Sequence, residues 1–133
     1  MNLVQILLLT VGMLTTQIGD SKLSQEELAQ GQLLAYNKQN LEAFLSYYAD
    51  DVEVYNFPNE LVYKGKKIMR ERYAKAWAKY PKQKARISKR MVVGNTVVDR
   101  EHVTGRLDQG EVNVIAIYKV VDHKIKQVYF IRE

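Results

Sequence analysis

The chain has 133 residues and a formal net charge of +5 at pH 7, with 47% hydrophobic and 26% charged residues. This length suits one folded domain with a single core, and the composition differs from that of a disordered chain. The absence of cysteine excludes disulfides and a thiol nucleophile, and the two histidines argue against a histidine-based metal site.

Residues 1–20 form an apolar leader. Residues 1–19 contain no Asp, Glu, Lys or Arg, and their apolar centre has the length of a signal-peptide core. The stretch is too short and too rich in Thr and Gln for a membrane span, and it lacks a basic start and a small-residue cleavage motif. We expect a signal peptide over 1–20, a folded domain over 21–133, and a secreted or periplasmic protein. The alternative is an additional N-terminal helix on a cytoplasmic protein, and a membrane contact is expected only through an uncleaved leader.

Two helices are predicted at the start of the domain. Ser24 and Glu27 have the spacing of a capping box, which predicts a helix over 25–37. Asn40 is a second N-cap, and we expect its helix to end at residues 50–51. Apolar residues recur at helical spacing in this second helix. They are Leu41, Phe44, Leu45 and Tyr48.

One strand, a third helix and a sheet follow. Alternating residues predict a strand over 52–57 that Pro58 ends. Gly65 opens a third helix, which Pro81 closes. From Ala85 onwards, runs rich in Val, Ile and Tyr are separated by three turn signals, which predicts an antiparallel meander of about four strands. The turns are Gly94-Asn95, Asp108-Gln109-Gly110 and Asp122-His123. Helices followed by a sheet indicate an α+β fold.

A basic stretch runs from Lys64 to Arg90. It contains twelve Lys or Arg residues and one acid, Glu71. Such a run attracts polyanions, yet no RNA-binding, zinc-finger or recognition-helix motif accompanies it. We therefore interpret it as a solvated face and expect no specific nucleic-acid partner.

Three segments carry a family resemblance: NLEAFLSYYADDVEVY at 40–55, YKGKKIMR at 63–70 and AIYKVVDHKIKQVYFI at 116–131. They resemble SnoaL-like and ketosteroid-isomerase-like members of the nuclear transport factor 2-like superfamily. The resemblance covers nearly all of residues 24–133. It implies a curved antiparallel sheet wrapped around three N-terminal helices, a cone with a mostly apolar pocket, and no cofactor. It also implies a homodimer, which a monomeric sedimentation profile would contradict.

The resemblance does not extend to the catalytic set of the steroid isomerases. An ungapped match places Gln32 at their oxyanion tyrosine, Asn56 at their general base and Ala116 at their oxyanion aspartic acid. Asn56 cannot abstract a proton, and Ala116 donates no hydrogen bond. The resemblance therefore disfavours the usual isomerase mechanism.

The same match places Asp99 and Glu101 on the inward face of one strand. Two carboxylates at this spacing repel each other in a dry pocket, so at least one pKa rises and an acid/base pair results. The alternative is that either carboxylate lies in water at the pocket mouth, or pairs with Arg100, Arg106 or a lysine of the third helix. A one-residue shift in register instead turns Arg100 and His102 inward.

Polar anchors for a ligand are predicted at Asn56, Tyr118, Tyr36 and Tyr55. Tyr118 shares the inward face with small Ala116. A phenol can donate to a ligand, although a packing role is the more common one for any single tyrosine. We expect a cofactor-independent isomerase, dehydratase or hydrolase with a small apolar ligand. The alternatives are a non-catalytic binder of an apolar metabolite and a dimeric interaction module.

Overall fold

The computed structural model describes residues 22–133, which form three α-helices, a short 3-10 helix at Leu107–Gln109, and one six-stranded sheet. The helices are α1 (Gln25–Lys38), α2 (Leu41–Ser46) and α3 (Lys66–Lys79). The strands are β1 (Tyr48–Asn56), β2 (Glu60–Lys64), β3 (Lys84–Val93), β4 (Thr96–Thr104), β5 (Val112–Val121) and β6 (Lys124–Arg132). The predicted leader lies outside the described residues. Over 22–133, no helix has the length and apolar character that crossing a membrane requires.

The caps predicted for α1 and α2 are present. Ser24 N donates to Glu27 Oε2 at 2.7 Å, and Glu27 N donates to Ser24 Oγ at 3.2 Å. The Asn40 side chain accepts a hydrogen bond from Ala43 N at 3.1 Å. The predicted end of α2 at residues 50–51 is wrong, because the helix ends at Ser46 and the next residues pair with the sheet.

The sheet is curved and unclosed, with the strand order β2-β1-β6-β5-β4-β3. The neighbours β1 and β6 are parallel, and every other adjacent pair is antiparallel. The predicted four-stranded meander is confirmed as β3 to β6. Strand β2 was not predicted, since its residues alternate poorly and only Tyr63 is buried.

The three helices cover the concave face of the sheet. Helix α1 packs on β3 and β4, whereas α3 packs on β1 and β2. Phe44 of α2 lies between them, with its ring centroid 4.5 Å from that of Tyr73 and 5.5 Å from that of Trp77. Burial of these large side chains supplies the hydrophobic stabilisation of this part of the fold. The predicted apolar stripe of α3 is therefore part of the core.

The predicted register of β4 is confirmed. Asp99 and Glu101 are buried on the concave face, and Arg100 is exposed on the opposite face. His102 also lies on the outer face, as expected, where its ring nitrogens contact Ser88 Oγ at 2.7 Å and Glu111 Oε1 at 2.9 Å.

A β-bulge interrupts β3 opposite these residues. Ile87 pairs with Glu101, yet Lys89 pairs with Arg100, so Ser88 is an extra residue. The bulge reverses the alternation of side chains along β3. Arg90 consequently lies on the concave face, directly opposite Asp99.

Candidate functional site

A cavity of about 450 Å³ lies between α1, α3 and the concave face of the sheet. This volume falls in the range of small-molecule sites. Part of the wall is apolar and is formed by Ala76, Phe130 and the valines at 54, 62, 103, 112 and 114. Polar and charged side chains form the rest. They are Tyr36, Asn56, Tyr63, Tyr73, Gln83, Glu101 and the arginines at 72, 106 and 132.

Among residues 22–133, Glu101 is the one carboxyl group that lines this cavity. It projects from β4 and is 8% exposed. Tyr118 on the neighbouring strand donates a hydrogen bond from its hydroxyl to Glu101 Oε1 at 2.7 Å. Glu101 Oε2 has no hydrogen-bond partner among residues 22–133, which leaves it as the oxygen available to a ligand or a water molecule.

A chain of buried hydrogen bonds holds the Tyr118 hydroxyl in place. Gln32 Nε2 donates to it at 3.2 Å, and Tyr48 donates to Gln32 Oε1 at 3.0 Å. The same side chains, with Glu101, surround a small void of about 30 Å³ next to the cavity. The network fixes one rotamer of Glu101 and places its carboxyl group at the inner end of the cavity.

Burial raises the pKa of Glu101 to about 7. The hydrogen bond from Tyr118 opposes this rise, and the negative charge of Asp99 adds to it. A carboxyl group with a pKa near neutrality exchanges protons readily in both directions, as a general acid or base must. Burial also raises the pKa of Tyr118 well above its ordinary value, so this phenol is a hydrogen-bond donor at neutral pH.

Asp99, the second predicted catalytic carboxylate, lies elsewhere. It is fully buried in an ion pair with Arg90, whose Nε and Nη2 donate to Asp99 Oδ1 and Oδ2 at 2.7 and 2.9 Å. It does not line the cavity. The sequence suggested arginine 100 or 106, or a lysine, as the alternative partner, and the bulge in β3 supplies Arg90 instead. Both carboxylate oxygens of Asp99 are therefore held by Arg90, outside the cavity wall.

Two of the predicted ligand anchors line the cavity. Asn56 Oδ1 accepts a hydrogen bond from Arg132 Nη1 at 2.7 Å. The Tyr36 hydroxyl accepts a hydrogen bond from Gln83, and burial raises the pKa of Tyr36 while the nearby Arg106 guanidinium opposes the rise. Asn56 and Tyr36 thus accept hydrogen bonds from other polar side chains of the cavity wall.

The other two predicted anchors have different positions. Tyr118 reaches the inner void and contacts Glu101, so it positions the carboxyl group and does not line the main cavity. Tyr55 faces the other side of β1, where it stacks on Tyr129 at 4.8 Å and donates to Glu53 at 2.9 Å. Tyr55 therefore takes no part in this cavity, because alternate residues of a strand point to opposite faces.

The arginines of the wall were missed as site residues. Arg72 belongs to the basic stretch that we interpreted as a solvated face. Arg106 lies in the loop after β4, and Arg132 is the last residue of β6. The position of Arg72 on the same face of α3 as Tyr73 and Ala76 was the available signal. Over the described range, no three His, Asp or Glu side chains are grouped as a metal site would require.

We expect the Tyr118→Phe variant to raise the pKa of Glu101 further, because the hydrogen bond that stabilises its ionised form is removed. The loss should also lower the free energy of unfolding by about 1 kcal/mol. Measurement of the Glu101 carboxyl shift by NMR against pH tests this. An unchanged midpoint would contradict the role of Tyr118 as a positioning residue.

The chain matches a family model. Residues 29–128 match the model of the SnoaL-like domain. No curated protein matches the chain in sequence. The fold is that of the nuclear transport factor 2-like superfamily, and the chain belongs to its SnoaL-like family.

Solved structures agree with this assignment. An uncharacterized cystatin fold protein from Novosphingobium aromaticivorans has 34% identity and a TM-score of 0.76, over 83% of this chain and 99% of that chain. An NTF2-like protein from Cytophaga hutchinsonii has 14% identity and a TM-score of 0.71, over 86% and 94%. A SnoaL-like protein from Burkholderia thailandensis has 17% identity and a TM-score of 0.68, over 82% and 94%. The last two show the fold alone.

Proposed function

We propose that this SnoaL-like protein is a cofactor-independent enzyme that moves a proton on a small molecule bound in the cavity, in an isomerisation, a dehydration or a hydrolysis. One observation carries the proposal: Glu101 is a buried carboxyl group in the cavity wall, and its pKa is about 7. A perturbed carboxyl group in a cleft is a typical feature of catalytic sites.

The surroundings of Glu101 support both directions of proton transfer. When ionised, the carboxylate accepts a proton from a carbon or from water at Oε2, while Tyr118 continues to donate to Oε1. When protonated, the same oxygen returns the proton to a leaving group or to another carbon. Glu101 therefore acts as both the acid and the base in this proposal. Asp99 is not needed for either role, and its carboxylate is held in the ion pair with Arg90.

The proposal is tested by hydrogen exchange at a carbon next to a carbonyl group. The purified protein is incubated in deuterium oxide with acetylnaphthalene, which is neutral, and with acetylnaphthoate, which is anionic. Mass spectrometry follows deuterium entering the methyl group. We expect the wild-type protein to accelerate exchange of at least one probe, and Glu101→Gln to reduce the rate by about 10²- to 10⁴-fold because an amide cannot take up the proton.

The matched control is Glu60→Gln, which removes an exposed carboxylate of β2 that does not line the cavity. This variant should exchange the probes at the wild-type rate. Equal rates for the wild-type protein and Glu101→Gln would contradict acid/base catalysis by Glu101.

A second candidate is a non-catalytic binder. The observation that favours it is the ion pair of Asp99, which leaves one carboxyl group where an acid/base pair was expected. In a binder, Glu101 would only orient the ligand. Bound probe with no exchange in the wild-type protein would support this alternative.

A further inference from the structure

The charges of the cavity wall are unbalanced. Of the residues that the structure describes, three arginines line it, at positions 72, 106 and 132, whereas Glu101 is the single acid. Over residues 22–133, none of the three forms an ion pair with a carboxylate. The wall thus carries a net charge of +2 when Glu101 is ionised and +3 when it is protonated. An excess of this kind in a partly desolvated cavity attracts an anion.

Arg106 is the arginine with an unmet hydrogen-bonding need inside the wall. Its side chain is half-buried, and Nε is buried with no hydrogen-bond partner in the described part of the chain. Gly105 holds it there, since φ is +82° and a Cβ would overlap the carbonyl group of Lys82. A buried donor without a partner costs free energy, and the side chain that carries it lines the cavity, where a ligand oxygen can contact the guanidinium group.

A second buried polar atom points to the same end of the cavity. Gln83 is 2% exposed. Its Oε1 has no hydrogen-bond partner in the described residues, whereas its Nε2 donates to the Tyr36 hydroxyl. The backbone of Gln83 lies against Gly105, next to Arg106. A purely apolar body would leave both groups unsatisfied. An anion would satisfy the Arg106 donor, whereas Gln83 Oε1 is an acceptor and requires a donor on the ligand or a water molecule.

The other two arginines lie towards solvent. Arg72 is exposed and stacks over the ring of Tyr63 at 4.8 Å. Arg132 is exposed and stacks over Phe130 at 4.7 Å while donating to Asn56. Each is fixed in place by an aromatic face, so both charges remain at the opening of the cavity. They are placed to guide an anion inwards.

We infer that the cavity binds an organic anion, a carboxylate or a phosphate ester on an apolar body, with the anionic group at Arg106. The inference rests on the proposed function of this cavity and names its substrate class. It replaces the expectation of a purely apolar ligand. The guanidinium group suits this role because its donors match the oxygens of both anions.

Isothermal titration calorimetry with three probes of one shape tests the inference. The probes are naphthoate, naphthyl phosphate and the neutral naphthamide. We expect at least one anion to bind about 10- to 100-fold more tightly than the amide, as a charge-assisted hydrogen bond predicts. Preference for naphthoate over naphthyl phosphate, or the reverse, identifies the source of the anionic group.

The Arg106→Met variant keeps the apolar stem and removes the charge. It should lose the preference for the anion and bind naphthamide as the wild-type protein does. Its thermal unfolding should occur at or above the wild-type temperature, because it removes an unpaired charge from the wall. Arg100→Met is the matched control, since it removes an exposed arginine from the outer face of β4. It should keep the anion preference.

Equal affinities for naphthoate, naphthyl phosphate and naphthamide would overturn the inference, as would an equal loss of the anion preference in the two arginine variants.

The proposed catalysis and the inferred anionic ligand can fail separately. Glu101→Gln should bind the anions at least as tightly as the wild-type protein, because it removes a negative charge from the cavity. Anion-selective binding without hydrogen exchange would contradict only the proposed catalysis. Hydrogen exchange without anion selectivity would contradict only the inferred anionic ligand. No binding of any probe would contradict both.

Discussion

Replacing Asp99 by asparagine should lower the free energy of unfolding by about 3–5 kcal/mol. The Arg90 side chain is 13% exposed and the Asp99 side chain is 0% exposed, so the substitution leaves a largely desolvated cation without its counterion. Asparagine retains one acceptor oxygen and replaces the other with a donor that faces the guanidinium group. Urea-induced unfolding followed by circular dichroism measures the loss.

Two further variants make this prediction sharper. Asp50→Asn changes an exposed partner of Lys66 by the same chemistry and should have little effect on stability. The double variant Arg90→Met with Asp99→Leu removes both charges together, and it should recover most of the loss because no charge is left unpaired. If Asp99→Asn lowered the free energy of unfolding no more than Asp50→Asn does, the ion pair of Asp99 and Arg90 would contribute no more to stability than an exposed one, which would contradict the prediction.

This ion pair also shows where interpretation of the sequence reached its limit. Alternation along β4 correctly placed Asp99 and Glu101 on the concave face, because the period of a strand is two residues. The same rule applied to β3 turns Arg90 outwards. One extra residue, Ser88, reverses the alternation, and no residue type at that position signals a bulge.

Local signals predicted the elements better than they predicted the site. Caps and turn residues identified all three helices and the meander, since these features depend on neighbours in the chain. Tyr48 was assigned to α2 because its spacing is helical, yet pairing with Ile125 places it in β1. The wall of the cavity is assembled from most elements of the fold, so Arg106 and Arg132 could not be associated with Glu101 from their positions in the sequence.

Glu101→Gln should stabilise the protein at pH 8 and have almost no effect at pH 4. The pKa of Glu101 rises from 4.5 to about 7 on folding. Below pH 4.5 the group is protonated in both states. Between these values only the folded state holds the proton, so stability falls as the pH rises and the loss is complete above pH 7. A shift of this size corresponds to on the order of 3 kcal/mol.

The groups around Glu101 define the conditions of this experiment. Tyr118 and the arginines at 90 and 132 favour the ionised form, while burial and Asp99 favour the protonated form. Glutamine resembles the protonated form in shape and accepts the hydrogen bond from Tyr118. Urea unfolding of the wild-type protein and Glu101→Gln from pH 4 to pH 8 gives the difference, and Glu60→Gln should follow the wild-type curve. Parallel curves for Glu101→Gln and the wild-type protein would contradict a raised pKa.

The two carboxyl groups on the concave face of β4 can thus be distinguished without a known substrate. Neutralising Asp99 should cost stability at neutral pH, because its charge is matched by Arg90. Neutralising Glu101 should increase stability there, because its charge forms no ion pair in the described residues and is poorly solvated. A carboxyl group that destabilises the fold at the pH where it ionises contributes little as a structural residue. Opposite signs for these two variants would therefore assign Asp99 to the structure and leave proton transfer to Glu101.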